Sequence, residues 1–196
     1  MKQYFTLVLL ALTLSIAAQN NGIQFYNDTI FENVLAKAKA ENKLIFIDCY
    51  AVWCGPCKYM DANIFPDKEV GDFHNANFIN LKYDMEKPYG MKIRKSYGIR
   101  AYPSFLYLDS NGEVMHRYVG STEKPADFMI ISKAATDTEN NFRAVNTRIR
   151  QGDRRASTIN DYLSMNYGAG NADSLINDHF NLINEQEKMS QSTWEL

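Results

Sequence analysis

Two cysteines separated by two residues, Cys54-Gly55-Pro56-Cys57, are the part of this 196-residue chain best equipped for chemistry. They follow Trp53 and an apolar run, Leu44-Ile45-Phe46-Ile47, that predicts a buried strand. They precede Tyr59-Met60-Asp61-Ala62-Asn63-Ile64, which is compatible with a helix. At the start of a helix this spacing puts both sulfurs on one face, one turn apart, within reach of a disulfide. The unsatisfied amides and the positive dipole end of the helix favour the thiolate of Cys54. Pro56 fits a first turn that tolerates a missing N–H. The expected chemistry is thiol–disulfide exchange. A static staple is the competing reading, but a four-residue loop restrains little of the unfolded chain, and such a staple needs neither Gly55-Pro56 nor Trp53.

The ends of the chain say where that chemistry takes place. Lys2, the apolar stretch from Phe5 to Ile16 and the small residues Ala17-Ala18 read as a secretory signal over residues 1–18, cut before Gln19. An uncleaved anchor is the alternative, for which the stretch is short. Removal of Lys2 makes the net charge of −2 one unit more negative. Roughly 180 residues would remain, enough for one ordinary domain and an extension. The mild acidity and the lack of a basic block argue against nucleic acid as a partner. Three cysteines in an exported chain do not make a disulfide-stapled miniature, so the core must come from packing.

The elements that must position the cysteines alternate along the chain. Apolar residues at Phe31, Val34, Leu35 and Ala38 predict a helix, with Asp28 or Thr29 as N-cap. Residues 44–50 form the first central strand and 78–83 the second, ending at Asp84, while Pro66-Asp67 marks a break between them. A helix over 88–97 stops at Gly98. Residues 104–108 and 114–119 then form a hairpin whose Asn111-Gly112 turn supplies positive φ values. Lys124-Pro125 opens a helix carrying Phe128, Ile131 and Ala135. The expected fold class is α/β, a mixed sheet with helices on both faces.

In three separate stretches, residues from about 25 to 136 resemble the thioredoxin fold. These are Asp48 to Lys58 around the cysteines, Tyr97-Gly98-Ile99-Arg100-Ala101-Tyr102-Pro103-Ser104, and Asn111-Gly112-Glu113-Val114 with Val119-Gly120. The implied domain spans 19–136. By this resemblance Cys54 is the nucleophile and the more exposed thiol, and Cys57 resolves the mixed disulfide. Asp48 is a buried carboxyl exchanging protons with Cys57 through water, its pKa raised by burial. Members of the family often set a lysine near this acid; Asn80 falls at that position here, with Lys82 one step further along the same face. Pro103 corresponds to the family's cis-proline. It bars a metal or third ligand from the thiols and presents the Tyr102 backbone to an extended substrate. Gly55, Pro56 and Tyr102 line the substrate groove. Trp53 forms one wall, unless its role is packing alone.

Cys49 points away from Asp48 along the strand and reads as a small buried hydrophobe. His74, His116 and His179 show no ligand spacing and are expected at the surface. Zinc on Cys54 and Cys57 would need two further ligands that are not evident. No cofactor is expected beyond the Cys54–Cys57 disulfide.

Beyond Thr136 the chain outruns the domain. Phe142, Val145 and Ile149 share a helical face, broken at Gln151-Gly152-Asp153. Ile159 with Leu163, and then Leu175, Ile176, Phe180 and Ile183, predict two more helices separated by 167–171, so residues 137–196 form a helical extension. One helical hairpin, docked on the domain or recruiting a partner, fits this pattern, and the extension could continue in a longer protein.

Cys-Gly-Pro-Cys resembles the reducing members of the family. Thioredoxin lies near about −270 mV and a strong dithiol oxidant near about −120 mV, a gap of roughly 7 kcal/mol for two electrons. The expected function is therefore an exported, periplasmic thiol–disulfide oxidoreductase that reduces or isomerises protein disulfides, kept reduced by a membrane-borne thiol partner. The alternative is a partner-binding module of the same fold whose helical extension recruits another protein.

Overall fold

The computed structural model describes residues 22–28 and 30–165. Helix α1 (Phe31–Glu41) leads into strand β1 (Leu44–Tyr50). Helices α2 (Gly55–Asn63) and α3 (Lys68–Asn77) follow, then strand β2 (Phe78–Asp84) and helix α4 (Pro88–Tyr97). The hairpin β3 (Ser104–Leu108) and β4 (Val114–Val119) precedes α5 (Pro125–Thr136), α6 (Phe142–Arg150) and α7 (Ala156–Met165). The sheet order is β2-β1-β3-β4. Strands β1 and β2 run parallel, and the other two pairings are antiparallel.

Alternation along β1 builds two cores. Ile45, Ile47 and Cys49 pack with Val34 of α1 and Ile93 of α4 on one side. Phe46 packs on the other with Met60, Val70, Phe105 and Phe128 from α2, α3, β3 and α5. Helices therefore cover both faces, as the sequence predicts. At the end of α4, Gly98 takes the left-handed conformation (φ 67°) that closes a helix cheaply only with glycine. Within α4, a Cβ at Gly90 would stand 2.0 Å from the Asp84 carbonyl oxygen, so this helix reaches the end of β2 only because that side chain is missing.

Several local expectations are corrected. The N-cap of α1 is Ile30, whose amide donates to Asp28 Oδ1 (2.8 Å), so Asp28 braces the turn from one step further back; Thr29 lies outside the described residues. Helix α3, where the sequence suggested only a break, is capped by Asp67, which accepts from the amides of Glu69 and Val70. In the β3–β4 turn only Gly112 has positive φ (84°), and Asp109 Oδ1 accepts from the amides of Asn111 and Glu113. This side-chain brace does the work assigned to an Asn-Gly pair.

His74 and His116 are buried, not superficial. In His74, Nδ1 meets Asn80 Oδ1 (3.2 Å), Nε2 meets Ser132 Oγ (2.8 Å), and the ring stacks on Phe128. Burial lowers its pKa to about 3. His116 Nδ1 accepts the amide of Phe142 (3.2 Å), and burial lowers its pKa to about 4. His179 lies outside the described residues.

The same contact seats α6. Phe142 also lies 5.0 Å from the Arg117 guanidinium, Arg143 donates to the Val114 carbonyl (3.2 Å), and its Nη2 pairs with Asp109 (2.9 Å). Phe142, Val145 and Ile149 share a helical face as predicted; that face is buried, and α7 closes over it through Ile159. The further predicted helix lies outside the described residues.

Neutral His116 is an acceptor; its imidazolium is not. A lowered folded-state pKa gives stability that is present above about pH 6.5 and lost as pH falls through about 4. Amide hydrogen exchange across Phe142–Arg150 should therefore accelerate between pH 6.5 and 4, after correction for intrinsic rates, before that of β1 and β3. The local loss should be up to about 3 kcal/mol, and His116→Gln should flatten it.

Candidate active site

Strand β1 ends in a turn, closed by Cys54 N–H to the Ala51 carbonyl (3.0 Å), that delivers Cys54 to the N-cap of α2. Pro56 occupies the first turn, where no intrahelical amide is required. Cys54 and Cys57 form a disulfide with Cα atoms 5.3 Å apart. Cys54 Sγ also accepts the Cys57 amide at 3.1 Å, so the sulfur that would carry a thiolate already sits on an orphan helix donor. The expected contrast in exposure is absent: Cys54 is 3% exposed and Cys57 2%. What distinguishes them is that Cys54 caps the helix and accepts this bond, whereas Cys57 lies inside the first turn.

The Tyr102–Pro103 bond is cis, and Pro103 is buried with its carbonyl accepting the Gly120 amide (2.9 Å). Tyr102 is half-buried against Ala51, Cys54 and Cys57 and meets Trp53 edge-on, with centroids 6.0 Å apart. Trp53 is 65% exposed, and its indole donates to Glu86 Oε1 at 2.7 Å. A polar tether from the loop after β2 thus orients a ring that packing alone would leave loose. Gly55 and Pro56 are exposed beside it, and a Cβ on Gly55 would meet nothing within 4 Å.

Asp48 lies on the Phe46 face of β1, under α2, and is buried. Its register partner is Lys82, whose Nζ stands 3.2 Å from Asp48 Oδ2. Lys82, not Asn80, is therefore the lysine beside the acid. Counting from the strand starts shows why, since Leu44 pairs with Phe78 and the fifth residues, Asp48 and Lys82, fall opposite. Asn80 faces Phe46 in register and serves the His74 network. Lys82 also pairs with Asp61 of α2 and lies 4.7 Å from the Tyr50 ring centroid. Neither Asp48 oxygen has an aligned hydrogen bond among the described residues.

A model of the thioredoxin-like domain matches residues 31–136. The chain belongs to the thioredoxin-like family. Thioredoxin H4 of Arabidopsis thaliana is 30% identical over 122 residues, covering 62% of this chain and 98% of that protein. The thiol:disulfide interchange protein DsbD of Pseudoalteromonas atlantica is 28% identical over 111 residues, 56% of this chain but 18% of that protein. A solution structure from Bacteroides thetaiotaomicron, described as a candidate disulphide-isomerase, is 43% identical with a TM-score of 0.55, covering 62% of this chain and 99% of that one. With the Cys54–Cys57 bridge in place, the thioredoxin-like chain is a thiol–disulfide oxidoreductase.

Sequence reasoning passed over two site residues. Asp61 lies four residues after Cys57, one helical turn along the same face, a spacing readable in advance. Glu86 carries no such signal, because its partner Trp53 is 33 residues away.

Burial raises the Asp48 pKa to about 7, against the opposing pull of Lys82 and with a further push from Asp61. An acid raised in the folded state stabilises the fold below its unfolded pKa, and that contribution is lost as pH rises through about 7. Replacing Asp48 removes this penalty. The stability of oxidised Asp48→Asn relative to wild type should therefore increase by up to about 4 kcal/mol between pH 4 and pH 8, as read by denaturant unfolding across that range.

Proposed function

We propose that this chain is an exported reductase or isomerase of protein disulfides that works through a mixed disulfide on Cys54. The observation that carries this reading is the Cys54 sulfur at the N-cap of α2, accepting the Cys57 amide beside its bridge partner. In the reduced protein the Cys54 thiolate attacks a substrate disulfide. A Cys54–substrate bond forms as the substrate S–S bond breaks, and one substrate sulfur departs as thiolate. Cys57 gives its proton through water to Asp48 and attacks Cys54 Sγ, which re-forms the bridge and releases the second substrate sulfur. Two electrons pass from the Cys54–Cys57 dithiol to the substrate. A basic group with a pKa near the working pH suits that proton transfer, and burial puts Asp48 there.

Trp53, Gly55, Pro56, Tyr102 and Pro103 line the approach. Tyr102 offers backbone to an extended segment of substrate, beside the tethered indole. Export is supported by the n-region Lys2, the apolar core and the Ala17-Ala18 cut site. Turnover requires an outside dithiol. The likeness to part of a thiol:disulfide interchange protein supports exchange with a thiol partner as that supply, and the export signal makes a membrane-borne reductant our choice of donor.

Cys57→Ser should accumulate covalent adducts with disulfide-bearing proteins, visible on non-reducing gels and cleared by dithiothreitol. Cys54→Ser should form no adduct and should abolish reduction of a model disulfide protein. Partner binding that persists unchanged in both variants, with no adduct in either, would instead favour a binding module.

A further inference from the structure

The Lys82 ammonium is shared between two carboxylates of very different exposure. Asp48 is 1% exposed; Asp61, on the outer side, is 41% exposed. The sharing is unequal. Lys82 donates a hydrogen bond to Asp61 Oδ1, while toward Asp48 it stands at 3.2 Å without the alignment of one. Its chain is guided outward past the Tyr50, Phe65 and Phe25 rings, whose centroids lie 4.7, 5.6 and 5.8 Å from Nζ. Asp61 reaches this position because it follows Cys57 by one helical turn, which ties the outer carboxylate to the same helix that carries the resolving thiol.

We propose that Asp61 is a positioning residue for the exchange reaction: it draws Lys82 off the buried Asp48 and so keeps Asp48 able to take up the Cys57 proton near neutral pH. The physical reason is competition for one cation. A lysine paired with Asp48 alone would favour its ionised form and make it a weaker base, whereas a lysine engaged by a second carboxylate favours it less, and the second negative charge disfavours ionisation further. Among the described residues, the other titratable groups coupled to Asp48 in the oxidised protein are Cys49 and Tyr50 on β1 and Tyr107 on β3, Cys57 being held in the bridge. Burial raises the pKa of each above its usual value, so none of the three carries charge near neutral pH. The contest is therefore between Lys82 on β2 and Asp61 on α2. The inference rests on the reading of Asp48 as the proton acceptor.

The test follows the Asp48 side-chain carboxyl carbon by NMR in the oxidised full chain, alongside the pH profile of disulfide reduction. In Asp61→Asn the Asp48 midpoint should fall by about one pH unit, and the pH profile should move the same way. Asp61→Glu should restore both. In a Lys82→Met background, Asp61→Asn should shift the midpoint by less than half as much, because the shared cation is gone. An unmoved midpoint in Asp61→Asn, with or without a drop in melting temperature, overturns the proposal and leaves Asp61 as a surface tie between α2 and β2. A midpoint that moves while Asp48→Asn reduces substrate with the wild-type pH profile upholds the coupling and removes Asp48 from the reaction.

Discussion

The alternation of side chains along β1 is the constraint from which the site follows. A period of two sends Ile45, Ile47 and Cys49 into the core beneath α1 and α4, and Phe46 and Asp48 into the opposite side beneath α2. A slip of one residue would exchange the cores that the carboxyl and Cys49 enter, and the apolar demand of both sides forbids it. The strand that separates the two cores therefore also fixes an acid that Lys82 links to the helix carrying the disulfide. Burial then does the electrostatic work, since the carboxyl is costly to ionise only because its strand is central.

Around this fixed acid, the exposed parts of the site are held by polar tethers. Trp53 is largely solvent-exposed, yet Glu86 orients its indole, and Tyr102 meets it edge-on above the cysteines. Lys82 bridges inner and outer carboxylates across an aromatic surround. A surface built this way can keep a defined shape around the disulfide without being closed over.

The chemistry was more legible in the sequence than its surroundings. Cys54, Pro56 and Cys57 declare themselves because their function depends on positions within one helical turn, and Gly98 closes its helix in the usual way. The errors share a cause, which is dependence on partners distant in sequence. His74 is buried because Ser132, 58 residues away, takes one ring nitrogen, and His116 because Phe142, 26 residues away, caps another. Helix α3 was hidden because Gly71 and His74 occupy inner positions that apolar residues normally mark. Lys82 was misplaced for want of a register, which depends on how β1 and β2 start relative to each other.

The two outer strands of the sheet are both accompanied. Beside β2 runs the segment around Phe25, bridged to Asn80, with the Tyr26 amide donating to the Asn80 carbonyl. Beside β4 lies α6, whose Phe142 meets His116 from one face of the strand and Arg117 from the other. A bare border strand presents unpaired backbone groups that can template strand addition by another chain. The Phe25 segment beside β2 and α6 beside β4 each lie along an outer strand, so both borders offer a further strand less free backbone than a bare edge would.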